Sequence, residues 1–218
     1  MKETTAKKKF MWNMAGSLCN SLSSMLLLII VNRISGESRG GFFALAYSTA
    51  QLLFSVGGFE IRPVQSTDIK NKFTFDQYFT SRMLNCIIML ICMIGYIVVN
   101  GYTGVEALTV FWILGYRMVE AVADVYSGLF QQRERIDISG KEMLMRSGIS
   151  TITFTIILWL TDNLLYAAMT LTLTSLVIML FYDLHMKRYF EPTPVHLEWK
   201  GILGIYNACW PLFVSSFI

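Results

Sequence analysis

"YRMVEAVADVYSGLFQQRER", Tyr116 to Arg135, continues an apolar run that begins at Ala107, yet it holds Arg117, Glu120 and Asp124 before the dense charge at Arg133. The fold turns on whether this run is a membrane span with a polar side or the place where a span fails. At about 100° per residue the three charges fall on one side together with Glu106, Thr109, Ser127, Gly128, Gln131 and Arg135. Phe111, Leu114, Met118, Ala121, Val122 and Val125 lie opposite. The pattern predicts an amphipathic helix in a membrane, with a polar face running nearly its full length.

That face cannot meet lipid. A central Arg or Asp costs about 2.5–3.5 kcal/mol to insert, so three such charges cost roughly 8–10 kcal/mol. The strongly apolar residues of Ala107 to Phe130 return only about 3–6 kcal/mol in total. The span therefore needs neighbouring helices or water on its polar side. Arg117 and Glu120, three apart, can pair on the helix surface, which allows a purely structural ion pair. Asp124 is then the surplus charge, with no partner in its own helix, and points to a hydrated pathway.

The rest of the chain sets this run among others like it. Of the 218 residues 54% are hydrophobic and only 15% charged, against roughly 45–50% and about 25% in an average soluble domain. A helix needs roughly 20 mostly apolar residues to cross a bilayer. Such runs occur at Phe10 to Val31, Gly40 to Phe59, Phe79 to Val99, Ala107 to Phe130, Leu144 to Leu160 and Leu164 to Leu184. The sequence predicts an all-α, polytopic membrane protein with a six-helix transmembrane lobe over 1–184, a cytoplasmic linker over 185–201, and the start of a second lobe and seventh span over 202–218. That last run is unfinished at Ile218, so the chain reads as a piece of a longer protein. Lys7 to Lys9 could open a signal peptide, but the apolar core that follows is too long and no A-x-A site follows it.

Placing the N-terminus in the cytoplasm sorts the basic residues cleanly. Only Arg33 and Arg39 fall outside and Arg117 lies within the fourth span. The other Lys and Arg, from Lys2 through Arg62, Arg82 and Arg146 to Lys200, fall inside. The net charge of +3 is thus topological and lipid-facing, and gives no reason to expect nucleic acid. The exterior connections, Asn32 to Arg39, Asn100 to Glu106 and Thr161 to Asn163, are too short to hold a domain. On the cytoplasmic side, Ile61 to Met83 mixes charge with Phe73, Phe75, Tyr78 and Phe79, as an interfacial segment does. Pro192 and Pro194 mark His185 to Gly201 as a linker without helical period.

Milder polar lines recur. Asn13, Ser17, Asn20 and Ser24 line the first span, and Ser48, Gln51 and Ser55 the second. Each line alone could be interhelical hydrogen bonding. Three polar lines on three spans point to a shared cavity. The Thr-rich fifth and sixth spans can return their hydroxyls to the preceding turn. Cys19, Cys86, Cys92 and Cys209 read as small buried hydrophobes, and His185 and His196 as solvated loop residues. No zincin, nucleophile-elbow, P-loop or dinucleotide motif is present, so no catalytic residue, metal or cofactor is expected.

Two segments, "RPVQSTD" (Arg62, Gln65, Asp68) and "GLFQQRERID" followed by Arg146, resemble the bacterial polysaccharide transport family. These are lipid-linked oligosaccharide flippases of the multidrug/oligosaccharidyl-lipid/polysaccharide exporter superfamily. The resemblance implies two six-helix lobes around a central cavity in the bacterial cytoplasmic membrane. It also implies alternating-access export of a polyprenyl-diphosphate-linked oligosaccharide for surface polysaccharide assembly. Membrane lipid, the lipid-linked cargo, and a polysaccharide polymerase with glycosyltransferases would be its partners. Arg117 becomes the first candidate for cargo contact and Arg62 a second, near the cytoplasmic entrance. Glu120, Asp124, Gln51, Asn13 and Asn20 complete the expected pathway, with Glu120 or Asp124 titrating or pairing during the switch. A drug or cation antiporter of the same superfamily would explain the acids, and a non-catalytic scaffold of an assembly complex would tolerate their loss. A membrane glycosyl or acyl transferase would require a catalytic cluster at one interface, and none is seen.

Overall fold

The structure is a computed structural model and describes residues 5–215, so Lys2 and the last residues of the unfinished run lie outside it. The described chain is helical: α1 (Ala6–Gly58), α2 (Ile61–Thr67), α3 (Phe75–Val99), α4 (Gly104–Gln132), α5 (Ile136–Thr161), α6 (Leu164–Ile178), a π-helical turn (Met179–Asp183), α7 (Leu184–Phe190) and α8 (Ile202–Ser215).

α1 is a helical hairpin rather than one rod. Gly36 breaks it with φ 84° and ψ 171°, a backbone conformation that side chains with a Cβ disfavour. The two arms return alongside each other, so that the Tyr47 hydroxyl donates to Ser24 Oγ at 3.0 Å. Both of the first two expected apolar runs are therefore helical, but the exterior connection expected at Asn32 to Arg39 is itself helical on both sides of Gly36. Elsewhere local chemistry sets the starts. Thr74 and Gln77 form a reciprocal capping box at α3, and Asn163 caps α6 by accepting from the amides of Leu165 and Tyr166.

Side chains that expose apolar surface on the outer faces, such as Ile91, Trp159 and Phe181, are 64%, 73% and 77% accessible. Four helical stretches are long and apolar enough to cross a bilayer: α1, α3, α5 and Leu164–Phe190. Long apolar helices with outward-facing hydrophobic side chains are the surface expected of a membrane protein. α4, with its internal charges, is instead the central helix, packed against α1, α2, α3, α5 and α6.

The hairpin of α1 crosses α5 where two glycines meet. A Cβ on Gly16 would lie 2.3 Å from the Gly140 carbonyl oxygen, and one on Gly140 would lie 2.4 Å from that of Trp12. Small residues allow this close approach of two backbones, as at many membrane helix crossings. Asn13 sits at this crossing.

The connections expected on one side of the membrane do gather at one end of the bundle. Arg39 pairs with Asp162 at 3.0 Å, and both share a surface recess with Glu106. At the other end Gln132 donates to the Asp68 carbonyl at 2.7 Å, Arg133 pairs with Glu191 at 2.9 Å, and the His196 amide donates to Asp76 at 3.1 Å. The expected linker 185–201 needs correction, because its first part is helical. The sixth helix continues through the π turn into α7 as far as Phe190, and only the segment beyond it is extended along the start of α3. Of the cysteines, Cys86 and Cys209 are buried and Cys19 is half-buried, whereas Cys92 faces outward.

Candidate functional site

α4 carries two apolar clusters with a polar band between them. The cluster toward the Gly36 end includes Phe43, Leu114, Tyr116 and Phe154, and the one toward the α2 end includes Ile61, Tyr78, Val125 and Phe130. Arg117, Glu120 and Asp124 occupy the stretch of α4 that separates them. Here a cavity of about 320 Å³ opens, walled by Asn20, Ser21 and Ser24 from the first arm of α1, Gln51 and Phe54 from the second, Arg62 from α2, and Met143 and Arg146 from α5.

Inside it the charges form two clusters. Arg117 pairs with Glu120 on the same helix, and its guanidinium also donates to the Tyr47 hydroxyl at 2.7 Å and to Ser24 at 3.3 Å. Its Cζ lies 4.7 Å from the centre of the Tyr47 ring, within cation–π reach. Glu120 accepts from the Asn20 amide at 3.1 Å and faces Arg146 Nη2 at 3.7 Å. Arg146 in turn donates from Nε to Glu142 at 2.5 Å. The second cluster is built on Asp124, which receives Arg62 at 3.0 Å and Arg82 at 2.8 Å, while Arg82 also donates to the Gly57 carbonyl at 2.9 Å.

These contacts correct the sequence reading at three points. Asp124 lacks a partner only within its own helix, since α2 and α3 each supply an arginine. The count of basic residues groups Arg82 and Arg146 with the cytoplasmic loop charges, yet they are 0% and 2% exposed inside the bundle. The polar face of α4 is also not continuously wet. Arg117, Glu120, Asp124 and Ser127 line the cavity, whereas Thr109 bonds back to Val105 at 2.8 Å, Gly128 packs on Gln65, and Arg135 turns to Asp137 at 2.8 Å.

Of the expected pathway residues, Arg117, Glu120, Asp124, Arg62, Gln51 and Asn20 thus share one cavity, and Asn13 stays at the α1–α5 crossing. Sequence reasoning missed Arg82, Glu142, Tyr47 and the lining role of Arg146. The available signal was charge close to an apolar run, in "TSRML" and "GKEMLMRSG", which the positive-inside count absorbed. Thr155 and Thr170 return their hydroxyls to the carbonyls of Thr151 and Tyr166 as expected, whereas Thr172 also donates across to the Trp112 carbonyl of α4 at 2.6 Å and the Thr151 hydroxyl has no partner among the described residues.

The two segments that carried the family resemblance pack on each other. A Cβ on Gly128 would lie 2.2 Å from Gln65 Oε1, Gln132 reaches the Asp68 carbonyl, and Asp68 ties down the following turn through the amides of Lys72 and Phe73 at 2.9 and 3.0 Å. They form the joint between α2 and the end of α4, which holds Arg62 against Asp124.

Comparison with curated proteins and with solved structures gave no significant match. A family model described as "polysaccharide biosynthesis protein" matches residues 6–218, the length that carries the helical hairpin, the charged cavity and the joint beside it, and the chain belongs to that family.

Proposed function

We propose that the chain forms part of a flippase that moves a polyprenyl-diphosphate-linked oligosaccharide across the bacterial cytoplasmic membrane by alternating access. It acts as a transporter, without catalysis, and delivers its cargo to the polymerase and glycosyltransferases of polysaccharide assembly. The observation that carries this reading is the composition of the cavity wall, in which arginines stand beside amide and hydroxyl side chains. A diphosphate calls for cations and a sugar calls for many hydrogen-bonding groups.

The carboxylates of the cavity neutralise those arginines. Glu120 holds Arg117 and Arg146, and Asp124 holds Arg62 and Arg82. A bound diphosphate competes for the same guanidinium groups, so cargo entry and release become an exchange of one anion for another with little net charge left buried. Arg62, whose side chain is 27% exposed, is the most accessible of the cavity arginines and meets cargo first. An antiporter for cationic drugs or metal cations would instead need a carboxylate free toward the cavity. Both cavity carboxylates already have arginine partners.

Flipping of a fluorescent lipid-diphosphate oligosaccharide in proteoliposomes tests this. Loss of a charge-assisted contact of about 1.5–3 kcal/mol predicts that Arg117→Ala loses roughly tenfold or more, while Arg117→Lys retains part of the activity. Equal rates for the two variants would remove Arg117 from cargo contact.

A further inference from the structure

Asp183 ends the π-helical turn between α6 and α7 and is 0% exposed, yet neither carboxylate oxygen has a hydrogen-bond partner among the described residues. π turns inside longer helices recur at functional sites, and a wholly buried, unsolvated carboxylate is too costly to retain as a bare anion. The groups around it offer no lasting neutralisation. The charged side chains acting on it are Glu142 and Arg146 of α5. Glu142 is 1% exposed and already holds Arg146 through Oε1, while its own Oε2 has no hydrogen-bond partner among the described residues. From α4 the nearby titratable group is Tyr126, and from the π turn itself Tyr182. Asp137 of α5 is engaged by Arg135, and Lys187 of α7 donates to the Thr193 carbonyl. α6 has no charged side chain, and its only tyrosine, Tyr166, lies in the first turn, away from this end.

We propose that Asp183 and Glu142 form a proton-binding site, with one proton held at neutral pH on Asp183 and shared toward the free oxygen of Glu142. Two carboxylates and one arginine are balanced when a single proton is present. When that proton leaves to water, Asp183 becomes an anion, and the cation acting on it, Arg146, still has Nη1 without a hydrogen-bond partner among the described residues. Turning Arg146 toward Asp183 lengthens a contact with Glu120 that is already loose at 3.7 Å, so that one cationic partner of Glu120 leaves and Glu120 stays with Arg117 and Asn20 in the cavity. The site thus links proton occupancy to the charge state of the cavity wall. Its transport role rests on the flippase reading, whereas proton binding itself does not.

Infrared spectroscopy of the purified protein, without cargo or gradient, reads the site directly. The wild type at neutral pH is expected to show a protonated-carboxyl C=O band that Asp183→Asn removes and Asp124→Asn keeps. Glu142→Gln, which leaves Arg146 free to pair with Asp183, should remove or strongly weaken the band and serves if Asp183→Asn does not fold. Absence of the band in the wild type, or its persistence in both Asp183→Asn and Glu142→Gln, overturns the proposal. So does its removal by sodium at constant pH, which assigns the site to a metal cation. Proton-independent flipping with the band present leaves the site standing and breaks only its link to transport.

Discussion

Asp124 and Asp183 are both acids set in apolar helical runs, and the bundle treats them in opposite ways. Asp124 is conspicuous in the sequence and is held by two arginines from two other helices. Asp183 sits inconspicuously at the end of "VIMLFYD", is more deeply buried, and receives no hydrogen bond among the described residues. A carboxylate's own helix therefore says little about its state. What decides it is whether the neighbouring elements bring a cation that is not already committed, as α2 and α3 do for Asp124.

The largest effect comes from breaking the Asp124 cluster at its buried member. Arg82 is 0% exposed and joins Asp124 to the end of α1 through the Gly57 carbonyl. Removing one partner of a buried pair leaves an uncompensated charge, so Arg82→Ala should destabilise the protein by about 3–5 kcal/mol. Thermal unfolding in detergent reads this, and the double variant Arg82→Ala with Asp124→Asn should regain a substantial part of the loss. If the double variant is no more stable than the single, the pair with Asp124 is not what Arg82 supplies.

The next effect sets the two aspartates side by side. Asp124→Asn strands Arg82 without its counter-charge and should cost about 1–3 kcal/mol. Asp183→Asn replaces a group that accepts no hydrogen bond among the described residues with a neutral one of the same shape that can still donate toward Glu142, and should move the same unfolding midpoint little or upward. A large loss from Asp183→Asn alone would show that the carboxylate is ionised and paired, which reverses the contrast between them.

These two clusters also explain how far the sequence could be read. Hydropathy placed the helices well, because lipid forces each crossing segment to satisfy its own backbone and so to be long and apolar. The α4 wheel brought Arg117, Glu120 and Asp124 to one side, because all three lie on one helix with a fixed period. Arg82, Arg146 and Glu142 come from other helices, and no period within one segment reports which helix packs against which. The positive-inside count worsened this by assigning Arg82 and Arg146 a sufficient topological reason for being where they are. Gly36 was visible as part of a connection, but helix on both sides of it could not be inferred from a polar hexapeptide such as "GESRGG". The π turn leaves no compositional mark at all, so the burial of Asp183 was not legible.

The smallest effect calibrates the others. Arg39 and Asp162 meet at 3.0 Å, the same separation as Arg62 and Asp124, but their side chains are 51% and 61% exposed against 27% and 16%. Water screens the outer pair and solvates each partner when the other is lost, so Arg39→Ala should cost about 0–1 kcal/mol. Part of that already reflects its second contact, to the Asp162 carbonyl at 2.9 Å. Raising the salt concentration should shrink the difference between wild type and Arg39→Ala, since the charges lie in solvent and the Debye length falls to about 3 Å at 1 M. The cost of Arg82→Ala should persist in the same buffer, because ions do not reach a buried guanidinium. Equal salt sensitivity for the two variants would mean that water reaches Arg82 behind Asp124.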